Sequence, residues 1–415
     1  MTAIKSVDKY RFLFYNALIM AEIKVPFFRP SFSEDEKKAV CDVIDSLWLT
    51  TGRVTHLFEE EFGAFVGSKH ALAVSSNTSG MILAMEACGV RAGKAVITTP
   101  YTFVSTAASA VHLGGDVLFA DTERDSYSID PGKIEEILKK DSAHKVRAIV
   151  PVHIAGNPCD MERIRALAEK YSSPGNKIYV IEDAAHSFPS RTKNGFAGTL
   201  GDIGVFSFYA TKTITTGEGG MVTTNDDGLA GRMRQMRLHG MSRDAWDRYT
   251  NPRASWEYDI IAPGFKSNLP DVLSAIGRVQ LKKASAFNER RAKIAELYNK
   301  AFKNLDFVIP PPDGEGNSWH LYLLHIDPGK LDCGRDDFAA ALQEKGVGIS
   351  MHFIAIFNFT YWREKYRDFR GENFPNADEH SRNTISLPIF PDMSDDEVML
   401  VIDAVRSVGE AHHAR

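Results

Sequence analysis

The chain has 415 residues, of which 44% are apolar, 25% charged and 10% aromatic. At roughly 100 to 200 residues per domain this length predicts two or three domains around a sizeable core, and the composition excludes a disulfide scaffold, a disordered chain and a membrane bundle. With 49 Lys and Arg against 54 Asp and Glu, the net charge of -5 gives no general attraction for polyanions, so nucleic acid is not an expected partner.

Lys5, Lys9 and Arg11 precede a short apolar run at residues 12–20, interrupted by Asn16. The run is too short to span a bilayer and lacks a small-x-small cleavage site, so it imitates a signal peptide only faintly. Residues 1–23 are read as an extension of unknown role, left by an upstream start in a cytoplasmic protein. Cys41, Cys88, Cys159 and Cys333 lie far apart, which suits a reducing compartment and gives no zinc pattern.

From residue 33 onward helix and strand signals alternate. Ser33 and Glu36 form a capping pair ahead of Ala39, Val40, Val43, Ile44 and Leu47 at helical spacing. Phe58, Phe62 and Phe65 mark a second helix closed by Gly67. Residues 70–74 then form an apolar strand that runs into the polar turn Ser75, Ser76, Asn77, Thr78, Ser79, Gly80, with a third helix beyond it. Further strands are predicted at 95–99, 117–120, 148–153, 178–181, 203–208 and 221–224. Most are continuous apolar runs, as a mainly parallel sheet covered on both faces requires. This large α/β domain is expected to span residues 24–260. Residues 270–283 and 288–301 read as two helices. An alternating strand at 319–326 and a last helix, capped by Ser394 and Glu397, complete a smaller α+β domain over 261–415.

Three features carry chemistry. The polar turn places backbone N–H groups and hydroxyls at a helix N-terminus, where a phosphate binds, although an ordinary Ser or Thr cap looks the same. Asp183, in Glu182-Asp183-Ala184-Ala185-His186, stands at the C-terminal end of an apolar strand, where open α/β sheets hold ligands. Lys212 follows Phe206, Ser207, Phe208 and Tyr209 out of another buried strand, ahead of Gly217, Gly219 and Gly220. A desolvated lysine has a lowered pKa and is a nucleophile; a solvated loop lysine is the plainer reading. Taken together, a phosphate turn, a strand-end Asp and a strand-end Lys are the three anchors that pyridoxal phosphate needs.

The chain here resembles the DegT/StrS sugar-nucleotide aminotransferases over residues 24–408. The likeness rests on the ordered segments 48–52, 75–80, 101–106, 182–186, 206–220, 264–268 and 351–353. It implies the fold-type I, aspartate aminotransferase-like fold, with pyridoxal 5'-phosphate as cofactor, Lys212 as the imine-forming lysine and Asp183 as the partner of the pyridine nitrogen. It further implies that Asn77, Thr78 and Ser207 lie at the phosphate, that Phe103 stacks on the ring, and that His186 lies near the ring oxygen. Asn268 would reach the phosphate across a homodimer interface, and Thr51 and His352 would border the substrate cleft. Asn77 departs from the smaller residue common in the family.

The implied activity is a ping-pong amination of a nucleotide-linked keto sugar by L-glutamate. Residues 238–244 resemble members acting on 4-keto sugars. A pyridoxal-phosphate sugar dehydratase is the alternative within the fold, but its lysine is replaced by histidine, whereas Lys212 is present here. A non-catalytic cofactor- or sugar-sensing regulator would not need both Asp183 and Lys212. No G-x-G-x-x-G opens a helix after an early strand, and no paired histidines suggest a metal.

Overall fold

The structure, a computed structural model, describes residues 23–242, 258–314, 316–366 and 368–414. Residues 1–22 of the expected extension and residues 243 and 244 of the segment 238–244 lie outside the described residues. Chain order gives β1 (His70–Val74), β2 (Ala95–Thr98), β3 (Asp116–Phe119), β4 (Val146–Ile149) and β5 (Tyr179–Asp183). A short hairpin, β6 (Arg191–Thr192) and β7 (Gly195–Phe196), precedes β8 (Ile203–Ser207) and β9 (Gly220–Thr224).

Seven of these strands form one sheet in the order β1-β9-β8-β5-β4-β2-β3. β8 pairs parallel with β5, β5 with β4, β4 with β2 and β2 with β3. β9 runs antiparallel to both β8 and β1. It reverses because residues 208–219 contain no helix that could carry the chain back across the sheet. The expected strand at 148–153 ends at Ile149, two residues before Pro151, which has no N–H for a ladder.

Both faces of the sheet are covered, which is why its strands are mostly apolar. On one face Met81, Leu83 and Met233 from helices Asn77–Ala87 and Asp227–Met236 pack against Val74, Val205 and Val222. Gly80 allows that close approach, since a Cβ there would lie 2.7 Å from Val205 Cγ1. On the other face Ile134, Ile164 and Leu167 cover Ile97, Ile149 and Val180, while Phe58 and Phe62 cover Phe206 and Phe208. Helix Asn77–Ala87 starts inside the polar turn rather than after it. Ser76 caps it, accepting from Ser79 N at 3.1 Å while Ser79 Oγ accepts from Ser76 N at 3.1 Å.

A second, antiparallel sheet contains β10 (Val308–Ile309), β11 (Tyr322–Ile326) and β12 (Thr384–Leu387). Helices Arg335–Glu344 and Asp395–Ala411 pack on it, the latter through Val398, Val401, Ile402 and Val405. The two helices expected at 270–301 are one, Asp271–Phe302, because residues 284–287 contain neither Gly nor Pro to break it and Ala284 and Phe287 are buried. Val25, expected to open the large domain, instead packs among Tyr298, Tyr322 and Leu387 and bridges to Val347. Among the described residues no helix is long and apolar enough to cross a membrane.

The long helix is tied to the large sheet through its first residue. The buried Asp271 carboxylate accepts from Gly52 N at 2.7 Å, Thr55 N at 2.9 Å and Thr55 Oγ1 at 2.6 Å, and so satisfies the open N-terminus of helix Arg53–Val66. Asp271→Ala leaves those donors buried without an acceptor and is expected to cost about 2–3 kcal/mol in urea unfolding. A loss within experimental error would show that water replaces the carboxylate.

Candidate active site

The C-terminal edge of the large sheet and one edge of the second sheet enclose a cavity of about 380 Å³. That volume suits a small ligand. Asn77, Thr78, Phe103, Asp183, His186, Ser207, Lys212 and His352 all line it, so the chain brings together eight of the ten residues singled out from the sequence. The other two, Thr51 and Asn268, are not among its lining residues. Asn268 Nδ2 donates to Thr51 Oγ1 at 2.6 Å, Thr51 Oγ1 donates to the Leu269 carbonyl at 2.5 Å, and Lys266 donates to Asn268 Oδ1.

Strand alternation decides which acid faces the cavity. Asp183 ends β5 on the cavity side, while its neighbour Glu182 points the other way. There Glu182 accepts from the N–H groups of Gly198 (2.7 Å), Leu200 (2.7 Å) and Gly201 (2.6 Å), and His153 Nε2 lies 2.8 Å away. Glu182 therefore anchors the loop before β8. Asp183 Oδ2 accepts from Thr106 Oγ1 at 2.7 Å, and its Oδ1 accepts from Ala185 N and Asn77 Nδ2, both at 3.2 Å. Burial raises the Asp183 carboxyl above its ordinary pKa, while these donors and the charge of Lys212 oppose that rise. The result is a buried carboxylate with its plane fixed by three donors.

Asn77 is the departure noted in the sequence, and its amide accounts for itself. It donates to Asp183 Oδ1 and also to the Val205 carbonyl at 2.9 Å, linking the first turn of a helix to the end of β5 and the middle of β8. Ser76, Asn77 and Thr78 place the start of that helix at the cavity, with its N–H groups and positive dipole end. Ser207, at the end of β8, lies beside it, its Oγ accepting from Tyr209 N at 3.3 Å. Together these groups form an anion cradle.

Lys212 stands in the turn after β8, where its N–H bonds to the Tyr209 carbonyl at 2.9 Å. Burial lowers its pKa to about 8, against the opposing charge of Asp183. Three histidines surround this amine. His186 accepts from Ala155 N through Nδ1 at 3.3 Å and stacks on Phe353, ring centroids 5.5 Å apart. His352 Nδ1 lies 2.9 Å from Ser386 Oγ, and its ring stacks on Phe27. Burial and the nearby Lys212 push His352 down to about 4 and His186 well below the ordinary range, so both are neutral. The third, His320, was not singled out from the sequence. It sits just before β11 in an alternating pattern that reads as plain strand, and only the packing of two sheets brings it to Lys212. Thr106 also lacked an assigned role, because a hydroxyl in the first turn of helix Ser105–His112 carries no distinguishing signal. Away from the cavity, Asp332, Cys333 and His412 lie close together at the surface, where a hydrogen bond of 2.9 Å between His412 Nδ1 and Asp332 Oδ1 accounts for two of them.

An amine, a fixed carboxylate and an anion cradle in one cavity fit a phosphorylated heteroaromatic carbonyl compound. Comparison with known proteins agrees with that chemistry. The family model described as the DegT/DnrJ/EryC1/StrS aminotransferase family matches residues 30–406. The spore coat polysaccharide biosynthesis protein SpsC of Bacillus subtilis is 40% identical over 387 residues, covering 92% of this chain and 97% of SpsC. The putative sugar aminotransferase Spr1654 of Streptococcus pneumoniae, in its PMP form, superposes with a TM-score of 0.85 at 27% identity, covering 94% of this chain and 100% of Spr1654. PseC of Helicobacter pylori, an aminotransferase involved in the biosynthesis of pseudoaminic acid, gives 0.83 at 28% identity, over 93% and 99% of the two chains.

The lowered pKa of Lys212 has a thermodynamic consequence for the ligand-free chain. Unfolded, the amine keeps its proton up to pH 10.5; folded, it releases it at about 8, so stability rises with pH between those values. Lys212→Met is therefore expected to be more stable than the wild type by about 3 kcal/mol below pH 8, with the difference fading toward pH 10.5. Urea unfolding at a series of pH values checks it, and a pH-independent difference would refute the lowered pKa.

Proposed function

The chain belongs to the DegT/DnrJ/EryC1/StrS aminotransferase family, and on that premise we propose that it aminates a keto carbon of a nucleotide-linked sugar with L-glutamate as donor. It is an aminotransferase of fold type I, and its cofactor is pyridoxal 5'-phosphate. The observation that carries the reading is the meeting of Lys212, Asp183 and the Ser76–Thr78 cradle in one cavity.

Each group has a task that its surroundings explain. The helix start at residues 76–78 and the Ser207 hydroxyl bind the cofactor phosphate, which the N-terminal dipole favours. Asp183, whose charged form Thr106, Ala185 and Asn77 favour by donating to it, binds a protonated ring nitrogen. The Phe103 side chain, 60% exposed, forms a wall for the ring, and neutral His186 offers a partner to a ring oxygen without adding charge. When bound, pyridoxal phosphate supplies an electron sink that stabilises the carbanion formed during amino transfer. Lys212, with a pKa near 8, is uncharged in a useful fraction of molecules at neutral pH and can take a proton from the substrate carbon and pass it on, as amino transfer requires.

The relatives SpsC, Spr1654 and PseC all point to sugar chemistry, so a sugar is the expected acceptor, and a 4-keto position is the finer expectation. His352, beside Lys212 on the side of the second sheet, is the substrate-facing group of this chain. Thr51 and Asn268 join the site in a homodimer, where the partner copy supplies them. The exposed apolar side chains Leu47, Leu49, Phe103 and Tyr209 favour such pairing, since a monomer would leave them in water. The reaction belongs in the cytoplasm, where glutamate is abundant and the four cysteines stay free.

The test is a half-reaction. L-Glutamate alone, with no sugar present, is expected to change the visible absorption of the protein and to release a stoichiometric amount of 2-oxoglutarate. Lys212→Ala should keep the circular dichroism of the wild type and slow that release at least about a hundredfold. Release that requires a keto sugar to be present would sink the ping-pong order, and an active Lys212→Ala would sink the mechanism.

A further inference from the structure

His320 stands beside the working amine, and neither the sequence nor the family resemblance singled it out. Its Nε2 lies 3.5 Å from Lys212 Nζ, and its ring packs 4.5 Å from that of His186. The residue is only 4% exposed, and its other ring nitrogen, Nδ1, is buried with no hydrogen-bond partner.

That orphan nitrogen fixes the tautomer. Burial and the charges of Lys212 and Arg291 keep the ring neutral, so it carries one proton. A proton on Nδ1 would be a buried N–H with no acceptor, which is rarer in native structures than a buried lone pair with no donor. The proton therefore resides on Nε2, which faces Lys212. An Nε2–H can donate only to a lone pair, and the lysine nitrogen has one only when uncharged.

The backbone at His320 is held so that this donor cannot swing away. Arg291, 3% exposed, donates through Nη1 to the carbonyls of Trp319 (3.2 Å), His320 (3.2 Å) and Ile389 (2.7 Å). Trp319 is in the left-handed region at φ 50°, and its N–H donates to Asn317 Oδ1 at 2.8 Å. A buried guanidinium bonded to three carbonyls thus clamps one strained residue and its neighbour from the side of the long helix.

We infer that His320 is a positioning residue for the transamination: by donating from Nε2 to Lys212 Nζ it holds that amine uncharged and oriented into the cavity. This rests on the reading of Lys212 as the lysine that works in amino transfer. The other groups around the amine are Asp183, His186 and His352, with Tyr209 and Glu218 among the lining residues and Arg291 behind His320. Of these, Asp183 is the group whose charge opposes the lowering of the amine's pKa, and His320 offsets it.

The test measures the titration of Lys212 in the cofactor-free, full-length chain by competitive labelling with acetic anhydride across pH, read by peptide mass spectrometry. The wild-type midpoint is expected at about 8. His320→Leu keeps water out but removes the donor, and should raise the midpoint by about one unit, the scale of one ordinary hydrogen bond. His320→Gln can place a side-chain N–H where Nε2 stands and should restore the wild-type value; His320→Asn, whose amide reaches only as far as Nδ1, should not. An unchanged or lowered midpoint in His320→Leu would overturn the inference, as would equal rescue by Gln and Asn. If glutamate releases no 2-oxoglutarate from the wild type while the midpoints shift as stated, the aminotransferase reading fails and the His320–Lys212 coupling stands.

Discussion

The constraint on which this structure depends is the burial of one carboxylate and one amine in the same cavity. Neither charge survives in a low-dielectric setting unless neighbours accommodate it. Burial raises the Asp183 pKa, while Thr106, Ala185 and Asn77, which donate to it, and the nearby Lys212 oppose that rise. Lys212 answers its burial differently, by a pKa lowered to about 8. The parallel part of the sheet follows from this need: β5 and β8 lie side by side and point their C-terminal ends the same way, so their terminal residues meet at one edge. The apolar strands and the two covering layers are what such a sheet requires.

Much of the large sheet and most of the site were legible in the sequence, because both follow from local patterns. Continuous apolar runs give strands buried on two faces, and strand-end placement gives Asp183 and Lys212 their common edge. Alternation along β5 separates Asp183 from Glu182, so the neighbouring acid, equally conspicuous in the sequence, anchors a loop instead. The illegible parts depend on contacts between distant segments. Residues 270–283 and 288–301 read as two helices, whereas burial of Ala284 and Phe287 against distant elements carries one helix through. Val25 docks on the second sheet, and no local pattern specifies that. Arg291 reads as one more charge on a helix, and only its three carbonyl partners, drawn from residues 319, 320 and 389, reveal what it holds.

The charge pattern of the cavity has a direction. Next to the anion cradle and Asp183 are groups that bind charge, while around Lys212 stand His186, His320 and His352, all held neutral by burial and by the nearby Lys212. Neutral imidazoles can donate or accept hydrogen bonds without adding a charge that would compete with the amine. A cavity built this way stays close to balance whether or not the lysine holds a proton, as a group that must move a proton in both directions requires.

Lys212 and Asp183 come from the large sheet, whereas His320 and His352 come from segments beside β11 and β12. The site therefore exists only where two hydrophobic cores meet, and its geometry is set by what binds one to the other. The long helix serves that purpose at both of its working ends. Asp271 seals the start of helix Arg53–Val66 beside the large sheet, and Arg291, five to six turns further on, clamps residues 319 and 320 beside the second. A rigid rod fixed to each core by a buried charge holds His320 against Lys212 without relying on a loop. The two ionic residues that the chain buries at some energetic cost in its longest helix are thus spent on the relative placement of the two halves of its cavity.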